Sequence, residues 1–148
     1  LHHSATMEGS VESIDAVHRE RKDAAGKPWL GIGYHFVIGN GRGMADGLVE
    51  HTFRWREQLQ GAHAGSREYN EKGIGICVLG DFRNAEPTPR QTAAARQLIA
   101  RLSQRYQIDP RRIVRHSDNR ASQCPCDRFP WEAVVPADPL TLKEFDRL

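Results

Sequence analysis

A nearly continuous apolar run at residues 73–80 constrains the fold of this chain more than any other segment. It reads Gly-Ile-Gly-Ile-Cys-Val-Leu-Gly and is bounded by glycines. Because neither alternating face carries polar side chains, the run is typical of a central strand covered on both sides. Residues 89–106 supply one covering helix, since Thr88 is a plausible N-cap, Pro89 suits the first helical position and Gln91 completes a capping box. An apolar stripe at 3–4 spacing follows in that helix.

Weaker signals predict the remaining elements. Ser10 is the plausible N-cap of a helix over residues 11–22. The pattern predicts strands at 33–38, 48–50 and 113–114, a loop at 61–72 and a short terminal helix at 141–148. Strands alternating with two well-marked helices indicate an α/β fold. At 148 residues the chain is expected to form a single domain, with a core over 1–132 and a C-terminal extension over 133–148.

Composition excludes several function classes. Lys and Arg number 21 against 19 Asp and Glu, a net charge of +2, which argues against a nucleic-acid partner bound by phosphate neutralisation. No stretch reaches the roughly 18–20 apolar residues of a membrane span. The start of the chain has neither the basic nor the apolar region of a signal peptide, although export is not excluded. Three cysteines make an odd count and do not indicate a disulfide framework.

The segment 116–124 carries the first chemical signal. Cys124 follows His116 by eight residues in a polar loop, and His2 and His3 lie near the start of the chain. A thiolate with two neutral imidazoles is a good zinc ligand set, and three protein ligands leave a fourth position for water, as in catalytic sites. From spacing alone, a second interpretation stays open, in which His116 caps a strand and Cys124 is a buried thiol.

Six ordered segments add to this signal. They are LHHSAT at 1–6, WLGIGYHF at 29–36, GAHA at 61–64, the region 69–82 with its Tyr-Asn and Leu-Gly-Asp-Phe, PTPRQ at 87–91, and the closing segment 116–125. Together they resemble the zinc-dependent N-acetylmuramoyl-L-alanine amidases of the type 2 amidase and peptidoglycan-recognition-protein family, which includes the phage T7 lysozyme type. The resemblance spans about residues 1–129. It implies a central mixed β-sheet flanked by helices, with zinc in a groove on one face.

The resemblance implies roles for individual residues. One zinc ion would be held by His2, His116 and Cys124, and Tyr34 would help to stabilise charge on the scissile carbonyl. His63 and Asn70 match loop residues that line the groove for the muramoyl-peptide. Two alternatives stay open: Tyr34 as a core aromatic residue, and His63 and Asn70 as braces of their loop.

The sequence departs from the family pattern at several positions. Ser122, two positions before the cysteine, stands where the family often has Lys or Thr, and it offers the oxyanion only a neutral hydrogen bond. Cys126 stands where the family often has glycine, and we interpret it as an inert thiol. The stretch before the GAHA loop is longer and contains Arg54 and Trp55, which are candidates for binding stem-peptide carboxylates and for stacking on sugar. An ordinary amphipathic edge segment explains that stretch equally well.

The expected function is that of a hydrolase with a peptidoglycan or muropeptide substrate. It would cleave the amide between N-acetylmuramic acid and L-alanine, using zinc to polarise the carbonyl and to activate water. The main alternative is a non-catalytic muropeptide-binding module of the same fold, and another is a zinc hydrolase of soluble muropeptides or other amides. A monomer is expected. The site of action would be the cell wall, whether the protein is secreted, periplasmic or delivered by a phage.

Overall fold

The computed structural model describes residues 1–135. Their regular elements, in chain order, are β1 (His2–His3), α1 (Val11–Arg19), β2 (Phe36–Ile38), β3 (Val49–His51), α2 (Phe53–Arg56), α3 (Arg67–Lys72), β4 (Ile76–Val78), α4 (Pro89–Tyr106), two 3-10 turns (Pro110–Arg112 and His116–Asp118) and α5 (Trp131–Val134). The strands form one sheet in the order β1-β4-β2-β3. β4 pairs in parallel with β1 and β2, and β3 pairs antiparallel with β2, so the expected mixed sheet is confirmed.

The strand β4 lies inside the sheet, as its apolar run predicts. Ile76, Cys77 and Val78 are all buried. One face of the sheet packs against α4, where Ile76 and Val78 meet Ala95 and Ile99. The opposite face carries a smaller cluster, centred on Ile32, Val37 and Leu79, against which Val11 and Ile14 of α1 pack. The sheet therefore has helices on both faces, which is the α/β arrangement expected from sequence.

The helix α4 begins and ends where the sequence predicts. Thr88 and Gln91 form the capping box, and Gln107 ends the helix in the left-handed conformation. Gln91 does more than cap, because its buried Nε2 donates hydrogen bonds to the carbonyls of Ile38 (3.2 Å) and Leu79 (2.7 Å). These carbonyls lie at the ends of two neighbouring strands, so one side chain fixes the helix to the sheet.

Several predicted elements differ from the structure. The predicted strand at 33–38 is confined to Phe36–Ile38. α1 ends at Arg19 rather than at residue 22, and Lys22 pairs instead with Pro28. The predicted loop 61–72 contains α3, which is supported by the i,i+4 ion pairs Arg67–Glu71 and Lys72–Glu68. The predicted strand at 113–114 is wrong, because this segment joins the two 3-10 turns. The predicted helix at 141–148 lies outside the described residues.

Packing continues beyond the predicted core boundary at residue 132. Val134 and Val135 are buried in the cluster beneath α4. The extent of the domain to residue 148 stays a prediction. Within residues 1–135, no helix has both the length and the apolar character needed to cross a membrane.

We expect Gln91→Met to lower the free energy of unfolding by about 3 kcal/mol, because it removes three hydrogen bonds, with the Ile38 and Leu79 carbonyls and the Thr88 N–H. The Ile38 carbonyl keeps the Leu79 N–H as a partner, whereas the Leu79 carbonyl loses the bond from Gln91. Urea unfolding at equilibrium measures this change. Gln97→Met, at an exposed position of the same helix, is the matched control and is expected to change stability little. Equal stability of the two variants would contradict the role given to Gln91.

Candidate metal centre and groove

The strand β1 joins the two ends of the described chain. Its inner edge pairs with β4, and its outer edge bonds the closing segment. The Leu1 nitrogen donates to the Val114 carbonyl (2.8 Å), and the His116 N–H donates to the Leu1 carbonyl (3.1 Å). Further along, the His3 N–H donates to the Cys124 thiol (3.2 Å). These contacts bring His116 and Cys124 to His2, although the predicted strand before His116 does not form.

His2, His116 and Cys124 converge as the resemblance implies. Their ligand atoms all lie within 4.8 Å of one another. The His2 Nδ1 is 4.0 Å from the Cys124 sulfur, and the His2 and His116 rings are 4.6 Å apart. His2 and Cys124 are buried and His116 is half-buried. One sulfur and two ring nitrogens at this spacing fit a zinc ion with one position left open.

The electrostatics of this group also fit a cation. Burial lowers the pKa of His2 and of His116, so both rings stay neutral and keep a lone pair for a metal. Burial raises the pKa of the Cys124 thiol to about 11, although the His3 N–H bond acts in the opposite direction. A bound cation deprotonates a coordinating thiol and reverses this cost.

Tyr34 lies beside the group. Its ring is 5.1 Å from that of His2 and 5.5 Å from that of His18. Burial, and to a smaller extent the neighbouring Cys77 and Cys124 thiols, raises the pKa of Tyr34 well above its usual value, so the phenol remains a hydrogen-bond donor. Tyr34 also lines a groove of about 510 Å³ that runs along α1, together with Ser4, Thr6, Glu8, Gly9, Ser10, Ser13, Ile14, Val17, His18, Arg21 and Gly43.

The structure brings His63 to the metal group but gives Asn70 a different place. The His63 Nδ1 lies 3.1 Å from the His2 Nε2. The Asn70 Oδ1 accepts hydrogen bonds from the backbone N–H groups of His63 and Ala64, and its Nδ2 donates to the Ala64 carbonyl. These contacts fit the alternative in which Asn70 braces its loop. A substrate contact by either residue stays a prediction.

Arg54 and Trp55 do not join the group. Arg54 is buried, and its guanidinium donates to the Ile32 and Gln60 carbonyls; burial also lowers its pKa. Trp55 packs on Phe36, on the α4 face of the sheet, and lines a separate cavity with Tyr106. In this structure the Arg54 guanidinium serves two backbone carbonyls, and Trp55 has a packing role away from Tyr34. A substrate contact by either residue stays a prediction.

Ser122 and Cys126 flank the sulfur ligand without joining it. The Ser122 hydroxyl oxygen accepts a hydrogen bond from the Cys124 N–H (3.1 Å), so Ser122 shapes the loop that presents the thiol. The Cys126 sulfur lies 3.7 Å from the His3 Nε2 and outside the group of three. Because this contact uses only the oxygen, the Ser122 hydroxyl can still donate a hydrogen bond.

Sequence reasoning did not place α1 in the site. His18 is buried, and its Nδ1 accepts a hydrogen bond from the Gly33 N–H (2.9 Å). It shares the helix face that lines the groove with Ile14 and Val17, and Val17 is 56% exposed. The sequence signal for this role was His18 itself, a histidine within the apolar stripe of α1 and next to Val17.

Comparison with known proteins identifies the class. A family model described as N-acetylmuramoyl-L-alanine amidase matches residues 1–127, and the chain belongs to this family. Among solved structures, it is similar to the N-acetylmuramoyl-L-alanine amidase LysC from Clostridium intestinale. That likeness has a TM-score of 0.74 and 31% identity, covering 90% of this chain and 78% of the other.

Two curated relatives come from different settings. The endolysin of Enterobacteria phage T3 is 30% identical over 131 residues, which is 84% of this chain and 77% of the endolysin. Peptidoglycan-recognition protein LB of Drosophila melanogaster is 37% identical over 102 residues, which is 68% of this chain. The match covers only 40% of that longer relative.

The buried His18 predicts a pH dependence of stability. Burial lowers its pKa from 6.5 to about 4 in the folded protein, so below pH 6.5 the unfolded chain takes up a proton that the folded one does not. The free energy of unfolding therefore falls as the pH drops from 6.5 to 4. His18→Asn keeps an acceptor for the Gly33 N–H and removes this proton. We expect its pH dependence in that window to be shallower, by at most about 1.4 kcal/mol per pH unit.

Urea unfolding of the metal-free protein at several pH values measures this difference. His51→Asn, at an exposed histidine, is the matched control. Parallel stability profiles for wild type and His18→Asn would contradict the assignment.

Proposed function

We propose that this protein hydrolyses the amide bond between N-acetylmuramic acid and L-alanine in peptidoglycan. The observation that carries the proposal is the convergence of His2, His116 and Cys124 beside Tyr34, which itself lines an open groove. Membership of the N-acetylmuramoyl-L-alanine amidase family suggests the bond. The groove offers room for an extended muramoyl-peptide, and the cell wall would be the place of action.

The residues that would hold the metal are His2, His116 and Cys124. Zinc fits this donor set, and when bound it supplies a Lewis acid for the carbonyl and lowers the pKa of water to about 7. The protein contributes neutral imidazoles, because burial keeps the pKa of both histidines low. It also holds the thiol in place through the His3 and Ser122 contacts.

Tyr34 would stabilise the charge that develops on the scissile carbonyl oxygen. Its phenol stays protonated, because burial raises its pKa, and it therefore donates a hydrogen bond without losing its proton. A positioned donor of this kind acts where charge forms in the transition state. The Ser122 hydroxyl is a second candidate donor, since its oxygen already accepts from the Cys124 N–H and its hydrogen is left over.

A non-catalytic binding module is the second candidate. The similarity to a peptidoglycan-recognition protein favours it, because that name speaks of recognition and not of cleavage. The presence of all three metal-binding side chains favours the enzyme.

A digest of purified peptidoglycan separates these candidates. We expect mass spectrometry to detect stem peptides with a new L-alanine amine, which disappear on chelation and return when zinc is added.

Cys124→Ala is expected to lose both zinc and activity, whereas Cys126→Ala, outside the group of three, keeps both. Full activity of Cys124→Ala would refute the metal assignment. Retention of muropeptide without any new amine would favour the binding module, and cleavage of soluble fragments alone would favour a muropeptide hydrolase.

Tyr34→Phe tests the oxyanion role separately from metal binding. We expect kcat to fall about 100-fold, the effect of losing one such donor, with the zinc content unchanged. Steady-state kinetics on a defined muropeptide, with metal analysis of the same samples, measures both quantities. A wild-type kcat would return Tyr34 to the role of a packed aromatic residue.

A further inference from the structure

The orientation of His63 is set by its surroundings. The ring packs closely against the backbone of two glycines. A Cβ placed on Gly61 would lie 2.3 Å from the His63 Cδ2, and one placed on Gly75 would lie 2.4 Å from the same atom. The backbone of His63 is fixed as well, since its N–H donates to the Asn70 side chain. The imidazole therefore has little freedom to turn.

Neither ring nitrogen of His63 is available to the groove. The Nε2 is buried and has no hydrogen-bond partner among residues 1–135. The Nδ1 lies 3.1 Å from the His2 Nε2, and the two rings meet edge to face at 81°. A histidine that contacts substrate needs a nitrogen open to the groove. In His63, the Nδ1 faces His2 and the Nε2 is buried.

The two nitrogens of His2 have distinct surroundings. The Nδ1 is the atom that lies 4.0 Å from the Cys124 sulfur, and the Nε2 faces His63. Metal binding through Nδ1 needs that nitrogen unprotonated, so the single proton of the neutral ring must then sit on Nε2. With the proton on Nε2, the 3.1 Å contact becomes a hydrogen bond that His2 donates to the His63 Nδ1.

We propose that His63 is a positioning residue that fixes the tautomer and orientation of His2 for metal binding through Nδ1. The inference rests on the proposed metal centre. It assigns His63 a task different from the substrate contact that the family resemblance implies. Removing the hydrogen-bond partner of a metal-binding histidine typically weakens metal affinity by about 10- to 100-fold.

A matched pair of variants tests this role. His63→Asn keeps an acceptor oxygen near the position of Nδ1, and His63→Leu removes the acceptor while keeping an apolar side chain. Competition with a zinc chelator measures the Kd for zinc of each purified protein, and circular dichroism confirms that each is folded. We expect His63→Leu to bind zinc 10- to 100-fold more weakly than wild type, and His63→Asn to recover most of that loss.

Long-range proton–nitrogen NMR of the zinc-loaded wild-type protein shows which ring nitrogens of His2 and His63 carry a proton. This measurement needs no variant, so it tests the proposal even where His63→Leu does not fold. We expect the His2 proton on Nε2 and an unprotonated His63 Nδ1. A proton on the His2 Nδ1, or a zinc Kd for folded His63→Leu within twofold of wild type, would overturn the assignment. A raised KM of zinc-saturated His63→Leu with unchanged zinc Kd would return His63 to substrate binding. Failure of wild type to bind zinc would overturn this inference together with the proposed metal centre.

Discussion

Hydrogen bonding on both edges of a two-residue strand is the constraint on which the site depends. β1 pairs in parallel with β4 on one side, and on the other side it holds the closing segment through Leu1 and His3. Because side chains alternate along a strand, His2 faces the metal group while His3 turns to the other side and packs against Phe82. The three side chains of the candidate metal group thus come from distant parts of the chain and are brought together by backbone contacts.

Burial gives this group its chemical character. Withdrawal from water lowers the pKa of His2 and His116 and raises that of Cys124, so without a metal the group is neutral. A buried set of neutral donors gains most from a cation, because the cation replaces the solvation that the thiolate lacks. The same burial keeps the Tyr34 phenol protonated beside the groove. Burial therefore sets the protonation state both of the candidate metal ligands and of the Tyr34 hydrogen-bond donor.

The elements that the sequence predicted correctly are those whose sequence signal lies within the element itself or directly beside it. The apolar run of β4 and the capping box of α4 belong to this kind. Prediction failed where distant partners decide the structure: the Val114 carbonyl bonds the Leu1 nitrogen, and residues 113–114 form no strand. The contacts of the buried Arg54 guanidinium with the Ile32 and Gln60 carbonyls also left no signal in the sequence. The candidate metal ligands were predicted through the family resemblance, since their spacing alone left two interpretations open. The contact between His2 and His63 joins positions 61 apart and leaves no local pattern.

X-ray absorption at the zinc edge identifies the atoms that bind zinc in the proposed metal centre. For the purified, zinc-loaded protein, we predict one sulfur neighbour at about 2.3 Å and nitrogen neighbours at about 2.0–2.1 Å. The sulfur neighbour should disappear in Cys124→Ser, whereas Cys126→Ser should keep it. A zinc environment without sulfur in the wild-type protein, or one unchanged in Cys124→Ser, would contradict the proposed metal centre.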